Sequence, residues 1–123
     1  AITEFEIELN HFPDPELHKR VAKMHEQNSN WVGAAKHHCE LTHIRPNSAR
    51  NHLNCAQSLF NLGEIDKAAA ALAPAIKMVP NGPFILLLSA NIANKQGRND
   101  EAQILFEKAK TEQQKRLQNS KGQ

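Results

Sequence analysis

Apolar residues along this chain return at helical spacing in short, separated stretches. Leu53, Ala56, Leu59 and Phe60 fall on one helix face, and Gly63 then interrupts the pattern. Ile65, Ala68, Leu72, Ala75, Ile76 and Val79 start a second stripe, which ends at Pro80-Asn81-Gly82-Pro83. Proline and glycine there stop one helix and start the next, with Pro83 suited to a first helical turn. Residues 49–82 therefore read as two helices, and the same features recur on either side. Ala22, Ala56 and Ala90 lie 34 residues apart, as do Ala34, Ala68 and Ala102; Pro46 and Pro80 keep that step, and so do Gly63 and Gly97. A fixed period between about 20 and 50 residues is the signature of stacked repeats. Small residues in register mark places where helix backbones approach too closely for a larger side chain.

Aligned on this period, the chain divides into blocks 15–48, 49–82 and 83–116, each a helix pair, followed by a polar tail at 117–123. Asp14 suits the N-cap of the first helix, and Asn47 or Ser48 that of the third. Pro74 falls inside the second helix of the middle block, where it removes a backbone donor and is expected to bend the helix. Residues 1–14 carry Phe5, Leu9 and Pro13, with Ile2 and Phe12 extending the stripe. They read as the latter half of a preceding repeat or as an amphipathic cap on the stack.

These residues resemble the tetratricopeptide repeat, whose pattern places a small residue in helix A, a glycine near the turn, an alanine and an aromatic in helix B, and a closing proline. The second block supplies Ala56, Gly63, Ala68, Leu72, Ala75 and Pro80, and the third Ala90, Gly97, Ala102, Phe106 and Ala109. The first is more degenerate: Ala22, Ala34 and Pro46 match, but Ser29 stands where glycine is usual and His38 where an aromatic is usual. The resemblance implies an all-α fold, a right-handed superhelical solenoid of antiparallel helix pairs.

Charge and composition narrow the function. A net charge of +2 is too weak to imply nucleic acid or an anionic membrane. The basic residues beyond Lys108 have no aromatic neighbours for base stacking, and read as a solvated helix end. No apolar run approaches the roughly 18 residues of a membrane span. Cys39 and Cys55 are too few for a disulfide framework, so Cys55 reads as a small core residue and the setting as reducing and cytoplasmic.

Seven histidines raise the question of a metal, and Cys39 and His43 lie one turn apart. No local signature supplies the remaining ligands. His18 and His25 fall on columns that pack, where hydrogen-bonded histidines are the expectation, and several imidazoles titrating together could make the first repeat pH-sensitive. There is no phosphate loop, nucleophile elbow or paired nucleophile and base. Glu64, Asp66, Asp100 and Glu101 sit at helix starts, where carboxylates meet the helix dipole. No enzyme, cofactor or metal is expected.

The resemblance implies instead that the A helices line a concave groove. Its floor would come from Lys19 and Lys23 in the first repeat, Arg50, Leu53, Asn54, Gln57 and Phe60 in the second, and Phe84, Leu87 and Asn91 in the third. Such a groove is basic at one end, amide-rich in the middle and apolar at the other. The family's clamp for chaperone tails is matched only at Lys19 and Asn54; Lys23, Phe84 and Leu88 replace its other residues. The apolar run Phe84–Leu88 is either packed on both sides or an anchor strip. The expected function is non-catalytic binding of a partner peptide or helix with an apolar stretch and an acidic end, self-association being a further possibility. The alternatives are a docking domain of a larger enzyme and a small secretion-type chaperone.

Overall fold

A computed structural model describes residues 15–121 as six helices. In chain order they are α1 Pro15–Gln27, α2 Trp31–Ile44, α3 Ala49–Asn61, α4 Ile65–Met78, α5 Pro83–Lys95 and α6 Asn99–Lys121. No strand occurs among the described residues. Each helix packs on its neighbours in sequence, so the pairs α1/α2, α3/α4 and α5/α6 stack into a solenoid. Asp14 and the cap or partial repeat expected before it lie outside the described residues.

The alanine register sets the packing. Ala22, Ala34, Ala56, Ala68, Ala90 and Ala102 are each 0% exposed, one from every helix. A larger side chain at any of them would push two backbones apart. Between repeats 2 and 3, Ala56, Ala68, Leu72 and Ala75 join Ile85, Leu88 and Ile92 in one apolar cluster. Ala90, Ala93 and Ala102, with Leu105 and Phe106 against them, form a second cluster inside repeat 3.

The turns follow from local chemistry. Gly63 and Gly97 take φ of +91° and +81°, and Ser29 takes +56° at the matching place in the first repeat. Serine there accepts the left-handed conformation that glycine adopts without steric cost. The Ser48 side chain caps α3 by accepting from the Asn51 N–H at 3.2 Å. α4 runs through Pro74 to Met78, so the proline does not end it. Pro46 and Pro80 would be followed one period later by residue 114, which is Gln114. Without a proline to stop it, α6 continues for 23 residues against 13 in α5, and the ten extra residues add about 15 Å. Most of the segment read as a polar tail is the last turn of this helix.

One expectation is overturned. Cys39 of α2 and Cys55 of α3 form a disulfide across the junction of repeats 1 and 2, their Cα atoms 4.7 Å apart. Cys55 is buried as expected, but it is not a free thiol. The two helices pack against each other across the Pro46 loop, which brings cysteines 16 positions apart within bonding distance. The bond also removes Cys39 from any shared site with His43. The premise for a reducing compartment goes with it.

Candidate functional site

The A helices α1, α3 and α5 each present a polar or apolar strip to one side of the stack, and two recesses join there. The first, about 480 Å³, is lined by Lys19 and Lys23 of α1, by Glu26 and His38, and by Arg50 and Asn54 of α3. The second, about 330 Å³, is lined by Arg50, Leu53, Asn54 and Gln57 of α3 together with Phe84, Leu87 and Asn91 of α5. Arg50 and Asn54 belong to both, so the recesses form one continuous wall across three repeats. Nine of the ten expected groove residues lie along it. Phe60 does not: it packs, partly buried, against the apolar cluster between repeats 2 and 3.

The run Phe84–Leu88 is divided between core and surface by helical geometry. Ile85, Leu86 and Leu88 are 5%, 5% and 1% exposed, whereas Phe84 is 61% exposed and Leu87 half-buried. The opposite face of α5, through Ile85, Leu86 and Ile92, floors a separate recess of about 390 Å³ between α4 and α6. That separate recess has Arg98 and Glu101 at its rim, paired with each other.

The electrostatics of the wall are uneven. Lys19 donates to Glu16 at 3.4 Å, an exposed pair one helical turn apart, which solvent screening leaves nearly worthless for stability. Among the described residues Lys23, Arg50 and Arg116 have no ion-pair partner. Arg116 is the residue that sequence reasoning missed. It comes from the extension of α6 and meets Arg50, Leu53 and Phe84 around a fourth, smaller recess of about 140 Å³. The signal for it was the missing closing proline at position 114. Gln57 donates its amide to Asn61 at 3.1 Å, leaving its carbonyl oxygen toward the groove side of α3 free to accept.

Beneath the basic end lies a buried imidazole cluster. His18 and His37 approach Nδ1 to Nδ1 at 3.0 Å, so one ring donates and the other accepts. His25 stacks on His37 with centroids 5.7 Å apart, and the Asn30 amide donates to His25 Nδ1 at 3.0 Å. His38 meets Glu26 at 2.7 Å. All four rings are buried, His18 and His25 in the packing role their columns imply. No group of three or more His, Cys, Asp or Glu able to hold a metal occurs among the described residues, and no described helix is long and apolar enough to cross a membrane.

Solved structures share this architecture. The match to "MamA MSR-1" has a TM-score of 0.79 at 18% identity, covering 93% of this chain and 66% of that one. TTC0263, a thermophilic tetratricopeptide-repeat protein of Thermus thermophilus, matches at 0.70 and 19% identity, covering 88% of this chain and 62% of that one. The fold is the tetratricopeptide-repeat fold. SycD, the type III secretion translocator chaperone of Yersinia enterocolitica, has a TM-score of 0.73 at 18% identity, over 80% of this chain and 74% of that one. The chain spans less than two thirds of the length of the MamA structures it matches. No family model matches the sequence, and no curated protein does.

Proposed function

We propose that this chain is a non-catalytic protein-interaction module whose A-helix wall holds a partner segment with an apolar stretch and an acidic part. The observation that carries this reading is the sharing of Arg50 and Asn54 between two recesses, which makes one groove of residues from three repeats. Phe84 and Leu87 are the apolar anchors. Full desolvation of each would contribute roughly 1.5 to 3 kcal/mol, less whatever surface is already buried. That sum does not cover the cost of association, so charge pairing at Lys19, Lys23 and Arg50 and amide contacts at Asn54, Gln57 and Asn91 complete the binding. Side-chain amides that both donate and accept suit an extended backbone, and the apolar end suits a side chain or a helix face.

Leu87→Glu tests the reading. It should remove partners recovered by the wild-type chain in affinity capture with mass spectrometry, while the helical circular dichroism stays nearly intact. Loss of the helical signal, or capture unchanged by the substitution, would refute the groove. A second reading, favoured by the likeness to SycD and by the exposed Phe84, is a chaperone that holds one client. Such a protein should purify with a stoichiometric client, which a docking module would not. The Cys39–Cys55 bond favours oxidising surroundings over the cytoplasm in either reading.

A further inference from the structure

The small recess at the start of α5 adds a second arginine to the apolar end of the groove. Its walls are apolar, from Leu53, Pro83, Phe84 and Ile85, and its cations are Arg50 and Arg116. No acidic residue lines it. Of the four recesses described, this is the one that sets two guanidiniums together without a carboxylate: Glu26 lines the recess of Lys19 and Lys23, Glu101 is bonded to Arg98, and the recess of about 330 Å³ has Arg50 alone. Arg50 and Arg116 therefore face an apolar hollow with no counter-charge among the described residues. A volume of about 140 Å³ matches one apolar group, since a cavity of roughly 150 Å³ accommodates a six-carbon ring.

We propose that this recess reads an acidic residue lying next to an aliphatic or aromatic residue in the partner segment. The apolar side chain enters the hollow against Phe84 and Leu53, and the neighbouring carboxylate is held by Arg50 and Arg116. A guanidinium presents a planar fork of donors that matches a carboxylate with two parallel hydrogen bonds, which a lysine cannot do. The inference rests on the groove reading and sharpens it: the acid is fixed beside the apolar anchor, at the third repeat, and not only at the lysines of the first. Arg116 becomes a specificity-determining residue, delivered by the ten-residue extension of α6.

The test is to pan a random dodecapeptide library against the full chain. The strongest binder and its version with Glu replaced by Gln are then titrated by fluorescence anisotropy. The expected result is a consensus with Asp or Glu within two positions of Leu, Ile or Phe. The Gln version should bind the wild type at least about tenfold more weakly, and should bind Arg50→Ala/Arg116→Ala as well as the acidic one does. Arg116→Lys should restore part of the preference and Arg116→Glu should turn it toward Lys or Arg, which a merely structural arginine would not do. Both arginines are exposed, so an unchanged melting curve checks that the variants fold. A consensus without an acid, or an acid preference that survives the double substitution, overturns the inference and leaves the groove standing. Displacement of the peptide by an oligodeoxythymidine at equal concentration overturns it too, in favour of a phosphate site. Absence of any Leu87-dependent enrichment brings down the groove and this inference together.

Discussion

The first repeat buries four imidazoles beside Leu17, Val21 and Leu41, where the third buries only apolar side chains among the described residues. His18, His25, His37 and His38 are buried in the first; Ile85, Leu88, Ala90, Ile92 and Ala102 are buried in the third. The junctions differ in the same sense. A disulfide ties repeat 1 to repeat 2, while repeat 3 meets repeat 2 through apolar packing and one exposed hydrogen bond, Gln96 to Asp66 at 3.3 Å. An imidazole pair such as His18 and His37 is satisfied only when the tautomers match, so such an interior yields less net stability than the same volume of hydrocarbon. In a linear stack stability is the sum of repeat and interface terms, and a weak terminal unit frays first. A covalent tie at the polar end and a greasy interface at the other are two ways of holding a terminal repeat in place.

The largest expected effect breaks the apolar end. Ile92→Ala removes a side chain that is 3% exposed in the cluster joining repeats 2 and 3, at a cost of about 2–5 kcal/mol. Hydrogen exchange should accelerate in α5 and α6 well before α1 and α2. Equal acceleration throughout would mean that the stack unfolds as one unit and that the contrast between its ends has no energetic content.

The matching break at the polar end is Cys39→Ser with Cys55→Ser. Closing a loop of this length lowers the entropy of the unfolded chain by an amount worth about 3 kcal/mol. Exchange in α1 and α2 should now be the part that speeds up, and the melting temperature should fall by roughly 10 °C. A variant with unchanged exchange in α1 would show that the imidazole cluster holds the repeat without help.

These two ends also differ in how legible they were. The period, the six alanines, the Gly63 and Gly97 turns and the Pro46 and Pro80 stops read directly, because each is a local demand of backbone geometry. The expectation of a groove wall rests on the same register, since one column of each A helix must face one side. Phe60 lies off the recesses and packs, partly buried, on the cluster that Leu53 also touches, a division that one column of a repeat does not specify. The disulfide was hidden for a different reason: it depends on how α2 meets α3 across a junction, and no local pattern encodes that distance. Arg116 was hidden by the repeat itself. A 34-residue template ends where the closing proline belongs, so a helix that lacks the proline and runs on carries side chains outside the template.

A smaller effect separates stability from recognition within the apolar end. Phe84 is 61% exposed, so Phe84→Ala should leave the melting temperature within about 1–2 °C. Binding of a groove ligand should nevertheless weaken by roughly tenfold or more, as the ring is desolvated only in the complex. Ile92→Ala loses stability and Phe84→Ala loses affinity, although the two residues lie eight positions apart on one helix. A large drop in melting temperature for Phe84→Ala would place the ring in the core and take the apolar anchor away from the groove.

The smallest effect lies at the basic end of the same wall. Lys19 and Lys23 are exposed, and Lys19 already has Glu16 beside it, so neither charge is desolvated in the free protein. Their attraction for an acidic segment acts through water and is screened by salt: the Debye length shrinks from about 10 Å at 0.1 M to about 3 Å at 1 M. Lys19→Ala with Lys23→Ala should therefore slow association at low salt by less than about tenfold, leave the dissociation rate nearly unchanged, and lose all effect near 1 M. Stopped-flow binding across a salt series separates these quantities. The arginines of the smallest of these recesses should behave oppositely, because a carboxylate held between two guanidiniums beside Phe84 is shielded from solvent and its loss appears in the dissociation rate. If the lysine variant instead dissociates faster at every salt concentration, the exposed lysines hold the bound segment as firmly as the arginines do, and the division into a steering end and a reading end fails.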